Sequence, residues 1–172
     1  VVVIRWAVSA TEPFDGINVY RAEGESEDFV RINDAPIAPA AEASYRDENA
    51  LPGRTYTYRI GAAAADGEVL SMTISLALPP KPLTLYQNVP NPFNPSTAVA
   101  FFMPESKRVR LVIYDIQGKR IKTLCDEMRP AGKHTIFWNG TNNLGNQVGS
   151  GVYYYRLDTG KRTLTRKMVI LR

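Results

Sequence analysis

Arg108-Val109-Arg110-Leu111-Val112-Ile113-Tyr114-Asp115-Ile116-Gln117-Gly118 is the stretch on which the fold of this chain turns. Val109, Leu111 and Ile113 fall on one face and Arg110 on the other, the period-two pattern of a half-buried strand. Asp115 to Gly118 reads as a turn with its glycine near the end, and Arg120 to Leu124 continues the hairpin. Further strands lie on both sides. Thr97 to Met103 precedes it and stops at Pro104, while Gly132 to Trp138, Val152 to Leu157 and Thr163 to Leu171 follow. Short antiparallel strands separated by turn residues predict a β-sandwich.

The segment just upstream, Leu85-Tyr86-Gln87-Asn88-Val89-Pro90-Asn91-Pro92-Phe93-Asn94-Pro95-Ser96-Thr97, sets three prolines among three asparagines. Proline fixes φ and lacks an N–H, so the segment is neither a helix nor a central strand. Asparagine favours turns. The reading is a rigid, irregular strap that lays Tyr86 and Phe93 against the sandwich, either as a structural turn or as a binding loop.

The whole chain has 172 residues, 44% hydrophobic and 22% charged, which suits folded protein and not disorder. No apolar run approaches the roughly 20 residues that span a bilayer as a helix. The single cysteine, Cys125, excludes an internal disulfide and a cysteine-based zinc site. The single histidine, His134, removes most metal and triad chemistry, so no enzyme, metal or cofactor is expected. His134 reads as a packed or hydrogen-bonded strand residue and Cys125 as a small buried hydrophobe or an interchain thiol. Asn139-Gly140-Thr141 fits both a glycosylation acceptor and a glycine turn. The chain opens within an apolar run, Val1-Val2-Val3-Ile4, without an initiator Met or a signal peptide, and reads as cut from something longer.

Charge divides the chain at Pro79-Pro80-Lys81-Pro82, a stiff extended linker. Residues 1–82 carry 7 basic and 12 acidic side chains, a net −5; residues 83–172 carry 14 and 5, a net +9. Two domains are expected, 1–78 and 85–172, joined by 79–84. The basic residues of the second are spread over several strands, with no recognition helix and no aromatic RNA-binding signature, so no nucleic-acid partner is expected. A solvated basic face that attracts anionic surfaces is.

The first half alternates too, in Gly16 to Arg21, Phe29 to Ile32, Thr55 to Ile60 and Val69 to Leu78. With Trp6, Tyr45-Arg46-Asp47 and Leu51-Pro52-Gly53-Arg54-Thr55-Tyr56, it resembles a fibronectin type III domain. The resemblance implies that Tyr56 forms the tyrosine corner, its hydroxyl bonded to backbone, and that Trp6 is core. The family's first strand should precede Val1 to Ile4 and is missing, which leaves a sheet edge for a preceding domain or another chain to fill.

The second half resembles more specifically the C-terminal sorting domain of type IX secretion cargo. The carriers are Leu85 to Thr97 with Asn88, Pro90, Asn91, Pro92, Phe93, Asn94 and Pro95. After them come Val112-Ile113-Tyr114-Asp115 with Gly118, Ala131-Gly132 with His134, and Trp138-Asn139-Gly140. Gly145, Ser150-Gly151-Val152-Tyr153 and the closing Lys167-Met168-Val169-Ile170-Leu171-Arg172 complete the set. Its middle part is also similar to the Ig-like domain of flagellar hook-capping proteins. The resemblance implies a module at the end of a secreted or cell-surface protein, carried through the periplasm and read by an outer-membrane secretion translocon. A sortase-like peptidase would act on it and anionic lipopolysaccharide could be its anchor. The last strand would be the contact element, pairing through its backbone. Many members carry Asp where this chain has Asn139, Asn142 and Asn143, which argues against calcium. Two other readings stay open: a structural or adhesive module that self-associates into a fibre, and a carbohydrate-binding accessory module.

Overall fold

Alternating β-branched and aromatic residues between glycine and proline turns produce strands throughout. The computed structural model describes residues 1–8 and 13–172. The chain runs β1 (Val2–Ala7), β2 (Gly16–Glu23), β3 (Val30–Arg31), β4 (Glu42–Asp47), β5 (Thr55–Ala64), β6 (Gly67–Leu70) and β7 (Ile74–Ala77) in one compact unit, Val1–Lys81. A second unit, Pro82–Arg172, contains β8 (Thr84–Leu85), β9 (Thr97–Met103), β10 (Lys107–Tyr114), β11 (Arg120–Arg129), β12 (Gly132–Trp138), β13 (Gly151–Asp158) and β14 (Thr163–Ile170). The chain is all-β, and its units are Ig-like and fibronectin-like antiparallel sandwiches.

In the first unit, among the described residues, β1 pairs only with β4, and the facing sheet runs β3-β2-β5-β6 with β7 also on β5. The stretch from Val69 to Leu78, expected as one strand, is two. Ser71 accepts the Ile60 amide on its hydroxyl and turns that hydroxyl to the Met72 carbonyl, so a side chain interrupts the ladder before it restarts at Ile74. One core cluster gathers Val2, Ala50, Tyr56 and Tyr58, flanked by Ile4, Ile32 and Leu78, and Ile17, Val19 and Ala22 of β2 are buried as well. The Tyr56 hydroxyl accepts the Leu51 amide at 3.0 Å, the corner contact. Asp47 lies buried and fully engaged. It takes Arg21 on both oxygens at 2.7 and 3.0 Å, the Tyr58 hydroxyl at 2.9 Å and the Asn49 amide at 3.0 Å. A buried carboxylate needs such partners, because desolvation without them is costly. Trp6, expected in the core, is on the inner face of β1 but only half-buried and outside the core cluster.

The second unit packs β11-β10-β13-β14 against β12-β9-β8. Its core holds fifteen buried residues, among them Phe93, Leu111, Trp138, Tyr155 and Met168, so this sandwich is closed where the first is sparse. β11 continues past Leu124 to Arg129. The Asp126-Glu127-Met128-Arg129 segment has no apolar alternation to announce a strand. It pairs nonetheless with basic Lys107 to Arg110, and Arg108 meets Asp126 at 2.8 Å.

Burial, with the hydrogen bond to Asp47 second, pushes the Tyr58 phenol above its ordinary 10.0. A raised folded pKa on an acid that is neutral when protonated gives stability that is whole below about pH 10 and lost as pH climbs through the folded value. Urea midpoints of the first unit should therefore fall between about pH 9 and about pH 11.5. In Tyr58→Phe the fall should be shallower; an equal slope in both proteins would refute the assignment.

Candidate functional site: a strap closed on the last strand

The proline-rich segment becomes a strap because the amides of Tyr86, Asn88, Val89 and Phe93 find partners without forming a continuous ladder. The peptide bonds before Pro90, Pro92 and Pro95 are cis. Asn88 is 1% exposed. Its amide nitrogen donates to the Pro90 carbonyl and to Thr97 Oγ1, both at 3.0 Å, and its side-chain oxygen accepts Gln87 Nε2 at 2.7 Å. Its backbone N–H donates to the Tyr155 hydroxyl at 3.0 Å, and that hydroxyl donates to the Tyr86 carbonyl at 2.8 Å. Burial raises the Tyr155 phenol pKa, which keeps it a neutral donor. The strap is therefore tied to β13 through one tyrosine, and Thr97 Oγ1 closes it with a bond to Pro90 at 2.8 Å.

From there the strap lies along β14. Phe93 donates its amide to Val169 at 3.0 Å and accepts that of Leu171 at 3.1 Å, forming a parallel bridge. Asn91 Oδ1 accepts the Val169 amide at 2.9 Å, and Gln87 Nε2 donates to Lys167 at 2.9 Å. Arg166 Nε donates to the Leu85 carbonyl at 2.6 Å. The last strand, expected as a contact element that pairs through its backbone, is paired on both sides, with β13 and with the strap. Between Lys167 and Leu171 the edge away from β13 is already occupied by the chain's own strap.

The Phe93 ring points inward, 5.6 Å from Trp138, whose ring lies 5.7 Å edge-on to Tyr153. Trp138 Nε1 donates to Thr141 at 2.9 Å, which pins the loop after β12. That loop receives the end of the chain. The Arg172 guanidinium donates to the Gly140 carbonyl at 3.1 Å and reaches Gln147 Oε1, and its amide donates to Ser150 Oγ at 3.0 Å. Gly140 has a φ of +69°, and a Cβ there would meet Arg172 Nη2 at 2.9 Å, Ile170 Cδ1 at 3.1 Å and the Pro95 carbonyl at 3.3 Å. Strap, loop and tail converge on this glycine.

The sequence-identified residues therefore fall into three groups. Asn88, Phe93, Trp138, Tyr153 and Met168 are buried structural members. Pro90, Asn91, Pro92, Asn94, Pro95, Lys167 and Arg172 are exposed around the closed tail. Gly118 and Gly132 are turn or strand-start glycines with positive φ, and Gly151, also at positive φ, opens β13 opposite Ile170 beside the tail. Sequence reasoning missed Tyr155 as a member and held Gln87 and Gly140 only as parts of longer motifs. The run Tyr153-Tyr154-Tyr155 alternates faces, which signals one inward face but not which partner it meets, and Asn139-Gly140 signals a turn but not its occupant.

The loop asparagines are spent on turns. Asn142 Oδ1 accepts the Leu144 and Asn146 amides, Asn143 Oδ1 the Thr123 amide and Asn139 Oδ1 the Thr141 hydroxyl. Among the described residues no group of three or more His, Cys, Asp or Glu is placed to hold a metal. His134 Nε2 donates to the Pro130 carbonyl at 2.8 Å. Cys125 is buried, which raises its thiol pKa. The basic character of this unit is partly neutralised, since Lys107, Arg108, Arg110 and Arg129 have carboxylate partners. Lys119, Arg120, Lys133, Lys161, Arg162 and Lys167 are exposed and form no ion pair among the described residues.

A family model described as the FlgD Ig-like domain matches residues 94–162. No curated protein matches the chain. Among solved structures, it is similar to dimeric latent PorU from Porphyromonas gingivalis, with 16% identity and a TM-score of 0.44 over 98% of this chain and 18% of that one. It is also similar to PorZ of the same organism, described as an essential surface component of the type IX secretion system. There the identity is 17% and the TM-score 0.37, over 66% of this chain and 15% of that one. The FN1–FN3 domains of chicken CNTN1 give 12% and 0.28, over 91% and 56%. The chain thus spans less than a fifth of the length of PorU or PorZ, and at these scores the likenesses say nothing about function.

Asn91→Ala should speed amide exchange at Val169 by about tenfold while costing about 1 kcal/mol of stability. Unchanged exchange there would show that the strap does not hold the tail. Gly140→Val should cost about 2 kcal/mol or more in urea unfolding, because strain and steric displacement add.

Proposed function

We propose that residues 83–172 act as a C-terminal sorting domain of the type IX route, with the first unit as a spacer in a larger secreted or cell-surface protein. The observation that carries the reading is the convergence of three separated motifs on one place. The Asn88–Pro95 strap, the Trp138–Gly140 loop and the Lys167–Arg172 tail are far apart in sequence and interlock at the last strand.

In this reading recognition is of a folded surface and not of a loose tail. Pro90, Pro92, Asn94, Pro95, Lys167 and Leu171 are exposed around the closed strap, and a translocon would meet them as one rigid patch. Two exposed basic turns at opposite ends of the sheet, Lys119 and Arg120 after β10 and Lys161 and Arg162 after β13, would attract anionic lipopolysaccharide, with charge steering the approach. A sortase-like peptidase would cut upstream of Pro82, where the chain passes through exposed prolines between the two units.

The test is transfer. Residues 83–172 fused to a periplasmic reporter, in a bacterium that carries the type IX route, should bring the reporter to the cell exterior. The Asn88→Ala, Phe93→Ala double variant should hold it in the periplasm. Retention of the unmutated fusion would refute the proposal.

A further inference from the structure

A row of side chains crosses the outer face of the sheet β11-β10-β13-β14. Residues directly opposed in a ladder project to the same side. Tyr114 is opposite Arg120 on β11 and Tyr154 on β13, and Tyr154 is opposite Lys167 on β14. Tyr153 and Tyr155 are buried, so Tyr154 and its cross-strand partners face outward. The row Arg120–Tyr114–Tyr154–Lys167 spans all four strands, about 14 Å at the usual strand spacing. A cation stands at each end, with two phenol rings between.

The folded unit leaves this row unsatisfied. Tyr154 is 38% exposed, and Arg120 and Lys167 are exposed without an ion pair among the described residues. The carboxylates of the same strands and turns are spent elsewhere. Asp115 accepts the Gln117 and Lys119 amides, and Asp158 accepts the Gly160 amide and faces Arg110 at 3.5 Å. The row is also held in place. Arg156 Nη2 donates to the Tyr114 hydroxyl at 2.6 Å and its guanidinium lies 4.6 Å from the ring centre, so that ring is fixed and one face of it is covered. Gln87 and Asn91 bond the backbone of β14 at Lys167 and Val169, so the strap fixes the strand from which Lys167 projects. Tyr154 is left as the open ring, with positive charge on either side.

We infer that this face binds a linear acidic polysaccharide through its sugar chain, with one ring stacked on Tyr154 and neighbouring carboxylates on Arg120 and Lys167. The C–H face of a pyranose matches the flat phenol, its carboxylates match the unpaired cations, and its hydroxyls meet the exposed Thr165 opposite Arg156. An open sheet face holds one sugar weakly, so a polymer whose repeated units add contacts is the ligand. Single-stranded nucleic acid fits less well, because it stacks on successive open rings and Arg156 lies over Tyr114. An acidic peptide brings the charge without the flat C–H face. The inference goes beyond the export reading, since it concerns the purified chain whether or not residues 83–172 direct secretion.

The test titrates the full chain with polygalacturonate, followed by calorimetry and by NMR of Tyr154 and Lys167. Polygalacturonate should bind and shift both residues. Dextran, which is neutral, and polyglutamate, which has charge without sugar, should each bind at least about tenfold more weakly. Tyr154→Ala and Lys167→Glu should each weaken binding by about tenfold, while Tyr154→Phe, which keeps the ring, should bind as the unmutated chain does. Arg46→Glu makes the same charge change at an exposed site on β4 of the first unit and should leave binding unchanged. If Tyr154→Ala disturbs the fold, Lys167→Glu at its exposed position still decides. No binding of polygalacturonate overturns the inference, and so does equal binding of polyglutamate or dextran. Tighter binding of an oligothymidine, or an equal loss in Arg46→Glu and Lys167→Glu, overturns it as well.

Discussion

Phe93 joins the molecule's last strand to its core. Its amide and carbonyl clamp Val169 and Leu171, and its ring enters the aromatic cluster beside Trp138. Backbone attachment without the ring would leave a strap free to peel, and the ring without the backbone would leave β14 with an open edge. Together they make the proline-rich segment serve as the neighbour that a regular strand would otherwise be. Prolines suit that place because the segment bonds β14 through a few chosen groups and not through a continuous ladder.

The two units manage the same physical problem in opposite ways. A sheet edge exposes unpaired backbone groups and invites pairing. In the second unit the strap covers β14, while Arg172 folds back into the loop after Trp138. The core there is large, and its inner faces meet across the whole sandwich. In the first unit, among the described residues, β1 pairs only with β4, and four buried residues make up the core cluster. What holds that unit is polar as much as apolar: Asp47 gathers Arg21, Tyr58 and the Asn49 amide in one buried network. Such a network is worth more intact than its parts, and it fixes how β2, β4 and β5 meet.

Electrostatics distinguish the units less simply than net charges of −5 and +9 suggest. Four basic residues of the second unit are ion-paired, and Arg156, Arg166 and Arg172 are committed to hydrogen bonds within the fold. The charge left for an outside partner sits on Lys119, Arg120, Lys133, Lys161 and Arg162, on turns and strand ends, and on Lys167 within β14. Exposed ion pairs contribute little to stability, so these residues matter for what the surface attracts.

Period-two alternation determined the strands, since it is a local property of Val109, Leu111, Ile113 and their like, and the all-β tandem sandwich followed from it. Turn chemistry was equally legible at Asp115–Gly118 and in the asparagine loop. Three things were not legible. The break at Ser71 depends on a hydroxyl meeting Ile60 across the ladder, and the extension of β11 to Arg129 depends on charges supplied by β10. The closure of the strap on β14 joins residues about 80 positions apart, and nothing local encodes which edge a proline-rich loop will cover. The sequence by itself determined which residues form strands and which turn, because backbone preference and side-chain periodicity act between near neighbours. Only the tertiary structure decided which edges are shut and which stay open, because that depends on what distant segments bring to the same place.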